Sequence, residues 1–239
     1  MPLPKIATPT YELELPSTGA SINYRPFLVK EEKVLVIALE SEDNKQITTA
    51  IKSVLKNCIL SKGIKVEDLP TFDIEYLFLN IRGKSVGEDL EVNIICPDDE
   101  KTQVPVTIAL DEIEVQKDDK HTNKIKIDDS IMMEMKYPSL EQFIKNNFDF
   151  NEKNMMDQSF ELIAACIDKV YTEDEVWTAA DCTKKEMRDF LEQMNSQQFK
   201  EIETFFETMP KLSHTISVTN PKTKVKSDVV LEGLSSFFA

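Results

Sequence analysis

The sequence predicts an α+β fold that is mostly helical, with two helix-plus-β-hairpin units and an extended N-terminal arm. Three observations lead to this prediction. Apolar residues recur at helical spacing in several segments, two segment pairs alternate apolar and polar residues around a turn, and prolines crowd the first 26 residues.

At 239 residues the chain is long enough for a substantial core, as one large domain or as two lobes. We divide it into an extended Pro-rich arm at 1–27, a helical lobe with the first hairpin at 28–137, and a second helical lobe at 138–239. The second lobe contains the second hairpin and an aromatic C-terminus.

The N-terminal arm carries five prolines, at positions 2, 4, 9, 16 and 26. Proline blocks regular helix and holds the preceding residue in an extended conformation. Apolar residues such as Tyr11, Leu13, Ile22 and Phe27 are spaced along the arm, so we expect it to lie on a surface. We favour the protein's own core over a neighbouring subunit as that surface.

Three helices are predicted in the first lobe. The apolar run at 34–39 follows acidic residues without a turn signal, which favours a helix over a strand. The next two helices each place apolar residues on one face. These residues are Ile47, Ile51, Val54, Leu55 and Cys58 in one helix, and Ile74, Leu77, Phe78 and Ile81 in the other.

Two β-hairpins are predicted from alternating patterns. In the first, residues 90–96 and 104–110 flank a polar loop, and in the second, residues 212–219 and 225–231 flank a turn. Each hairpin follows a helix with aromatic and aliphatic residues on one face, so the helix-plus-hairpin unit occurs twice. The polar stretch at 116–130 between the two units is expected to be mobile.

The second lobe is predicted to be mainly helical after a strand at 131–137. Ser139 with Gln142 matches the capping-box pattern, as does Thr183 with Glu186, and Ser196 is expected to cap a further helix. Apolar residues at 160–167 also recur at helical spacing.

The net charge of −15 disfavours nucleic-acid binding, because a polyphosphate backbone repels an acidic surface. The longest apolar runs are too short to cross a bilayer, and the N-terminus lacks the pattern of a secretory signal. We therefore expect a cytoplasmic protein with no nucleic-acid or membrane partner.

Candidate catalytic and metal-binding residues are sparse. The chain has two histidines, His121 and His214, and four scattered cysteines without a CxxC pair. A structural zinc site needs four converging ligands, and the acidic turn at 98–100 lacks the ligand spacing of a calcium loop. We expect no enzyme activity, metal or cofactor, although a hydrolase that uses paired carboxylates is kept as a rival hypothesis.

Aromatic residues occur in pairs at comparable places in the two units: Tyr76 and Phe78, Phe205 and Phe206, and Phe237 and Phe238. A wide buried face is the favoured interpretation of these pairs. The alternative is an interface in which one ring of each pair anchors a partner.

Four segments resemble the baseplate hub and assembly proteins of T4-like contractile-tailed bacteriophages. They are residues 25–33 (RPFLVKEEK), 72–79 (FDIEYLFL), 84–88 (KSVGE) and 231–238 (LEGLSSFF). The resemblance covers nearly the whole chain and implies no catalytic residues. Some members carry paired cysteines in the hairpins, where this sequence has Cys96 alone, which puts a metal-stapled hairpin in doubt.

The resemblance implies a virion structural protein of the tail baseplate, assembled in the host bacterial cytoplasm. Its partners would be other phage baseplate and hub proteins, with self-association as a further option. The alternative is a transient assembly chaperone that is absent from the mature virion.

Seven residues are our candidates for partner contact: Arg25, Phe27, Glu31, Tyr76, Arg82, Phe237 and Phe238. The guanidinium of Arg25 is suited to a bidentate pair with a partner carboxylate. The ring of Phe27 is suited to an apolar pocket.

Overall fold

The computed structural model describes residues 6–41, 43–140, 142 and 155–233. In that part of the chain, about 38% of the residues are helical and 27% are in strands, with six helices and eleven strands in four small sheets. The prediction of a mostly helical fold is therefore wrong. The missed strands lie in the N-terminal arm, in the polar stretch after the first hairpin and in the predicted helical part of the second lobe.

The proline-rich arm folds into a hairpin instead of staying extended. Strands β1 (Tyr11–Glu14) and β2 (Ser21–Tyr24) pair antiparallel. Gly19 closes the turn with a φ of 68°, a conformation that costs glycine little, and its N–H donates to the Leu15 carbonyl oxygen at 2.8 Å. Ile22 and Tyr24 are fully buried, so the arm packs on the protein's own core.

The three helices of the first lobe form as predicted. They are α1 (Val29–Glu40), α2 (Asn44–Cys58) and α3 (Thr71–Val86). Helix α1 packs against α2, whose apolar stripe from Ile47 to Cys58 is buried. Most side chains of α3 are buried, which explains its apolar and aromatic composition.

The first hairpin follows α3 directly. Strands β3 (Asp89–Ile95) and β4 (Gln103–Ala109) pair antiparallel, and the alternating residues Leu90, Val92 and Ile94 are buried. A short strand, β5 (Glu114–Gln116), follows and later pairs with the second hairpin.

A four-stranded antiparallel sheet joins residues that are far apart in the second half of the chain. Its strands, in spatial order, are β6 (Lys124–Lys126), β7 (Met132–Met135), β8 (Ile167–Tyr171) and β9 (Val176–Thr178). Strand β8 begins at Ile167, a residue predicted to continue a helix. Ile167 pairs instead with Met135, because a β-branched residue fits a buried strand position well.

The stretch at 116–130 is anchored at several points, and its mobility stays a prediction. Ile125 and Ile127 are buried, and the His121 ring bridges two elements. Its Nδ1 lies 3.0 Å from the Thr208 hydroxyl and its Nε2 lies 3.0 Å from the Tyr137 hydroxyl. Burial lowers the pKa of His121, so the ring is held neutral over a wider pH range than in water.

Three further helices are α4 (Met155–Cys166), α5 (Lys184–Glu192) and α6 (Ser196–Thr208). The capping box of Thr183 and Glu186 at α5 is confirmed. At α6 the cap is Asn195 and not Ser196: the Asn195 Oδ1 accepts the N–H groups of the second and third helical residues.

The Ser139 N–H donates to the Gln142 side chain at 2.9 Å, as the capping-box pattern predicts. The helix predicted to follow lies outside the described residues, apart from positions 140 and 142.

The second hairpin consists of β10 (Lys211–Thr219) and β11 (Lys226–Glu232). With β5 it makes a three-stranded sheet in the order β11–β10–β5. Its tip touches the tip of the first hairpin, because the Asn220 side-chain amide donates to both Asp98 oxygens at 3.0 and 3.1 Å. The Thr223 hydroxyl donates to the same carboxylate.

Buried residues form two clusters, and each cluster contains residues from both sides of position 137. The first cluster contains the N-terminal hairpin, α1–α3 and both later hairpins, including Leu212 and Leu231. The second contains α4–α6 and the four-stranded sheet, including Ile125 and Met133. The second hairpin thus packs with the helices of the first lobe. The predicted domain boundary between residues 137 and 138 stays a prediction.

We expect Asn220→Ala to destabilise the fold by about 1–3 kcal/mol, because it removes a buried amide that bonds both to Asp98 and to its own turn. Urea unfolding of the purified protein measures this. The control is Asn57→Ala on the exposed side of α2, for which we expect a change within about 0.5 kcal/mol. Equal effects of the two substitutions would contradict the role given to the hairpin junction.

Candidate docking surface

Helix α1 exposes an unusual number of large apolar side chains. Of the fourteen such side chains in the described part of the chain, five lie on α1 and a sixth is its N-cap residue. They are Leu28, Val29, Val34, Val36, Ile37 and Leu39. Apolar residues this concentrated on a protein surface mark a contact site for another molecule.

Two opposite faces of α1 follow from helical spacing. Glu31, Leu35 and Ala38 lie three or four residues apart and face the core. On the opposite side, exposed residues recur at the same spacing: Val29, Lys33, Val36 and Glu40. We call this second set, with the adjacent Ile37, the outer α1 face.

The start of α1 is held by a buried ion pair. The Arg25 Nη2 lies 2.9 Å from the Glu31 Oε1, and the two side chains are 14% and 3% exposed. The other Glu31 oxygen accepts the Leu28 N–H at 2.8 Å, which satisfies a backbone donor at the helix start. Arg25 also donates to the Pro26 carbonyl at 2.8 Å, so both groups have several partners.

The electrostatics of Glu31 reflect this arrangement. Burial by itself would raise the pKa of Glu31. The hydrogen bond from Arg25, the Leu28 N–H, the Arg25 charge and the hydrogen bond from Lys30 together outweigh burial and lower the pKa below its ordinary value. Glu31 is therefore ionised at neutral pH, although it is buried.

The structure places three predicted contact residues together at the start of α1. Arg25 and Glu31 pair with each other within the chain. Phe27 is half-buried against the first cluster, and its N–H donates to the Ser85 hydroxyl at 3.0 Å. These three residues lie on the core-facing side of the start of α1 and are not on its outer face.

The other predicted contact residues are placed differently. Tyr76 and Arg82 lie on α3 and are half-buried, and burial raises the pKa of Tyr76 and lowers that of Arg82. Phe237 and Phe238 lie outside the described residues.

Sequence reasoning missed the outer α1 face itself. The signal was present, because six consecutive apolar residues at 34–39 circle a helix completely and one neighbouring helix cannot cover them all. It also missed Trp177, which is 39% exposed on the edge strand β9.

A cleft of about 590 Å³ lies between β6 and α6. Its ionisable lining groups are Lys120, Lys124, Lys126 and Glu201, which do not form the paired carboxylates of a hydrolase. In the described residues no group of three or more His, Cys, Asp or Glu side chains is arranged to hold a metal ion.

Cys58 and Cys166 are buried free thiols, and burial raises the pKa of Cys58 to about 11 and that of Cys166 to about 12. None of the described helices has the length and apolar character needed to cross a membrane.

The outer α1 face is thus an exposed apolar helix surface next to a buried core. A comparison with protein families matches residues 8–239 to the family described as T4 bacteriophage base plate protein. The chain belongs to that family. No curated protein and no solved structure matches the chain.

The family membership confirms the coarser part of the predicted resemblance. The protein is a baseplate protein of a T4-like phage, its place is the tail baseplate of the virion, and other baseplate proteins are its expected partners.

We expect Arg25→Gln to destabilise the protein by about 3 kcal/mol at pH 7, because it leaves the buried Glu31 carboxylate without its cation. The pKa of Glu31 is lowered in the fold, so the pair stabilises the protein above the ordinary glutamate pKa, and this is lost as pH falls through the lower folded value. The difference between wild type and variant should therefore shrink below about pH 4. Denaturant unfolding at pH 7 and pH 3.5 measures both effects.

The matched control is Lys52→Gln, which breaks the exposed Lys52–Glu67 pair and should cost less than about 1 kcal/mol. A penalty for Arg25→Gln that is the same at both pH values would contradict the role assigned to Glu31.

Proposed function

We propose that the protein is a structural or assembly component of the baseplate hub of a contractile-tailed bacteriophage. It acts through protein–protein docking surfaces and not by catalysis. The observation that carries this proposal is the outer α1 face, an exposed apolar helix surface on a chain of the baseplate family.

The outer α1 face has the composition of an interface centre. Val36 and Ile37 are about half exposed and stand at its middle, with charged residues around them. Protein interfaces have such an apolar centre inside a polar rim, and a few central side chains supply most of the binding free energy. The buried Arg25–Glu31 pair supports docking because it holds the helix in one orientation before the partner arrives.

The partners are other baseplate and hub proteins, and assembly takes place in the host bacterial cytoplasm. The net charge of −15 supports a protein that binds neither nucleic acid nor an anionic membrane surface. The same charge keeps the free protein soluble while it presents an apolar helix face.

A transient assembly chaperone is the second candidate function. It is favoured by the combination of a strongly acidic chain with an uncovered apolar face, which suits a protein that also exists free of the particle. Mass spectrometry of purified virions separates the two. A stoichiometric amount of the protein supports a structural component, and its absence supports a chaperone.

We expect the double substitution Val36→Gln and Ile37→Gln to block baseplate assembly while the protein stays folded. Glutamine is compatible with a helix but removes the apolar centre of the outer α1 face. The measurement is a count of assembled baseplates and infectious particles from a phage carrying the variant, with a loss of at least about tenfold expected if these side chains are interface anchors.

The control is Val86→Gln, which changes an exposed valine in α3 and should leave assembly intact. Circular dichroism melting of each purified variant separates loss of docking from loss of folding. Normal particle yield from the folded double variant would refute docking through this face.

A further inference from the structure

We infer that the outer α1 face pairs with the same face of a second copy of this chain, in an antiparallel arrangement about a two-fold axis. This inference rests on the proposed function, because it names the occupant of that docking surface. The observations behind it are the order of apolar and charged residues along the face and the charge balance of α1.

The outer α1 face is symmetric about its centre. Lys33 and Glu40 lie seven residues apart, and Val36 and Ile37 stand midway between them. Seven residues make two helical turns, so Lys33 and Glu40 lie on the same side of α1, about 10 Å apart along its axis. A two-fold axis between positions 36 and 37 would bring the central apolar residues of two copies together.

The charges are complementary in that arrangement. An antiparallel copy centred between 36 and 37 places its Glu40 opposite Lys33 of the first copy, and its Lys33 opposite Glu40. Both side chains are exposed, and neither forms an ion pair with another residue in the described part of the chain. In a two-fold interface each contact occurs twice, so a single complementary pair supplies two ion pairs.

The local charge balance permits two acidic chains to meet here. Each copy has a net charge of −15, so most pairs of surfaces repel each other. The exposed charged residues of α1 are Lys30, Lys33, Glu32 and Glu40, two of each sign. The helix is thus a neutral, apolar surface on an acidic chain, where contact between copies brings no excess of negative charge together.

The contact is small, which sets its expected strength. Helix α1 has twelve residues and a length of about 18 Å. A pair of such helices buries less than about 1,200 Å² in total, which is the range of weak and transient interfaces. The dimer should therefore form reversibly in the purified protein and depend on its concentration and on salt.

The test is charge reversal followed by sedimentation equilibrium of the full chain at low salt, from about 10 µM to 1 mM, the span of weak dissociation constants. Lys33→Glu and Glu40→Lys each place like charges opposite one another at two sites and should weaken dimerisation about tenfold. The double variant with both reversals restores opposite charges and should regain wild-type dimerisation. Lys184→Glu at the first position of α5 is the control for the change in net charge and should have little effect.

Three results would overturn the inference: a wild-type chain that stays monomeric throughout, a double reversal that is as weak as the single ones, or a dimer that Val36→Gln with Ile37→Gln leaves intact. A monomeric wild type whose α1 variants still fail in baseplate assembly would mean that another baseplate protein occupies the face, and the proposed function would stand. Normal assembly by folded α1 variants would instead remove the proposed function. Circular dichroism melting of every variant excludes unfolding as the cause.

Discussion

The buried pair of Arg25 and Glu31 determines how the outer surface of α1 is presented. Glu31 belongs to the face that packs on the core, where an isolated carboxylate would be costly. Arg25 neutralises it from the end of the N-terminal hairpin, and the Leu28 N–H satisfies its second oxygen. Because this face must point inward to reach Arg25, the opposite face with Val36 and Ile37 must point into solvent. The exposure of the proposed docking surface thus follows from a buried charge.

The two helix-plus-hairpin units do not behave as separate modules. The helices α5 and α6 that precede the second hairpin belong to the second cluster of buried residues. The hairpin itself packs with the first cluster. Its tip then bonds to the tip of the first hairpin through Asn220 and Asp98. Helix α1 contributes Leu35 and Ala38 to that same first cluster.

Charge and apolar surface have complementary roles in this molecule. A net charge of −15 disfavours random contact between copies and keeps an apolar helix from causing aggregation. On α1 the exposed charges balance around the central Val36 and Ile37, which is why we propose contact at this surface.

The amino-acid sequence determined the local elements whose signals are local. Spacing of three and four residues predicted α2 and α3, the acidic start of the apolar run at 34–39 without a turn signal predicted α1, and alternation predicted both hairpins. Strand β8 was missed because its partner β7 lies about 30 residues earlier in the chain, and a strand is stabilised by its neighbours more than by its own propensity. Strand β6 pairs with the adjacent β7, but its three residues are too few to show an alternating pattern. The role of Arg25 was predicted as a partner contact, and only the folded chain brought it to Glu31. The bond between Asp98 and Asn220 spans 122 residues, and the exposure of Val36 and Ile37 depends on which face of α1 the core takes. Both the bond and the exposure depend on how distant segments pack together, and the periodicity of the sequence carries no information about that packing.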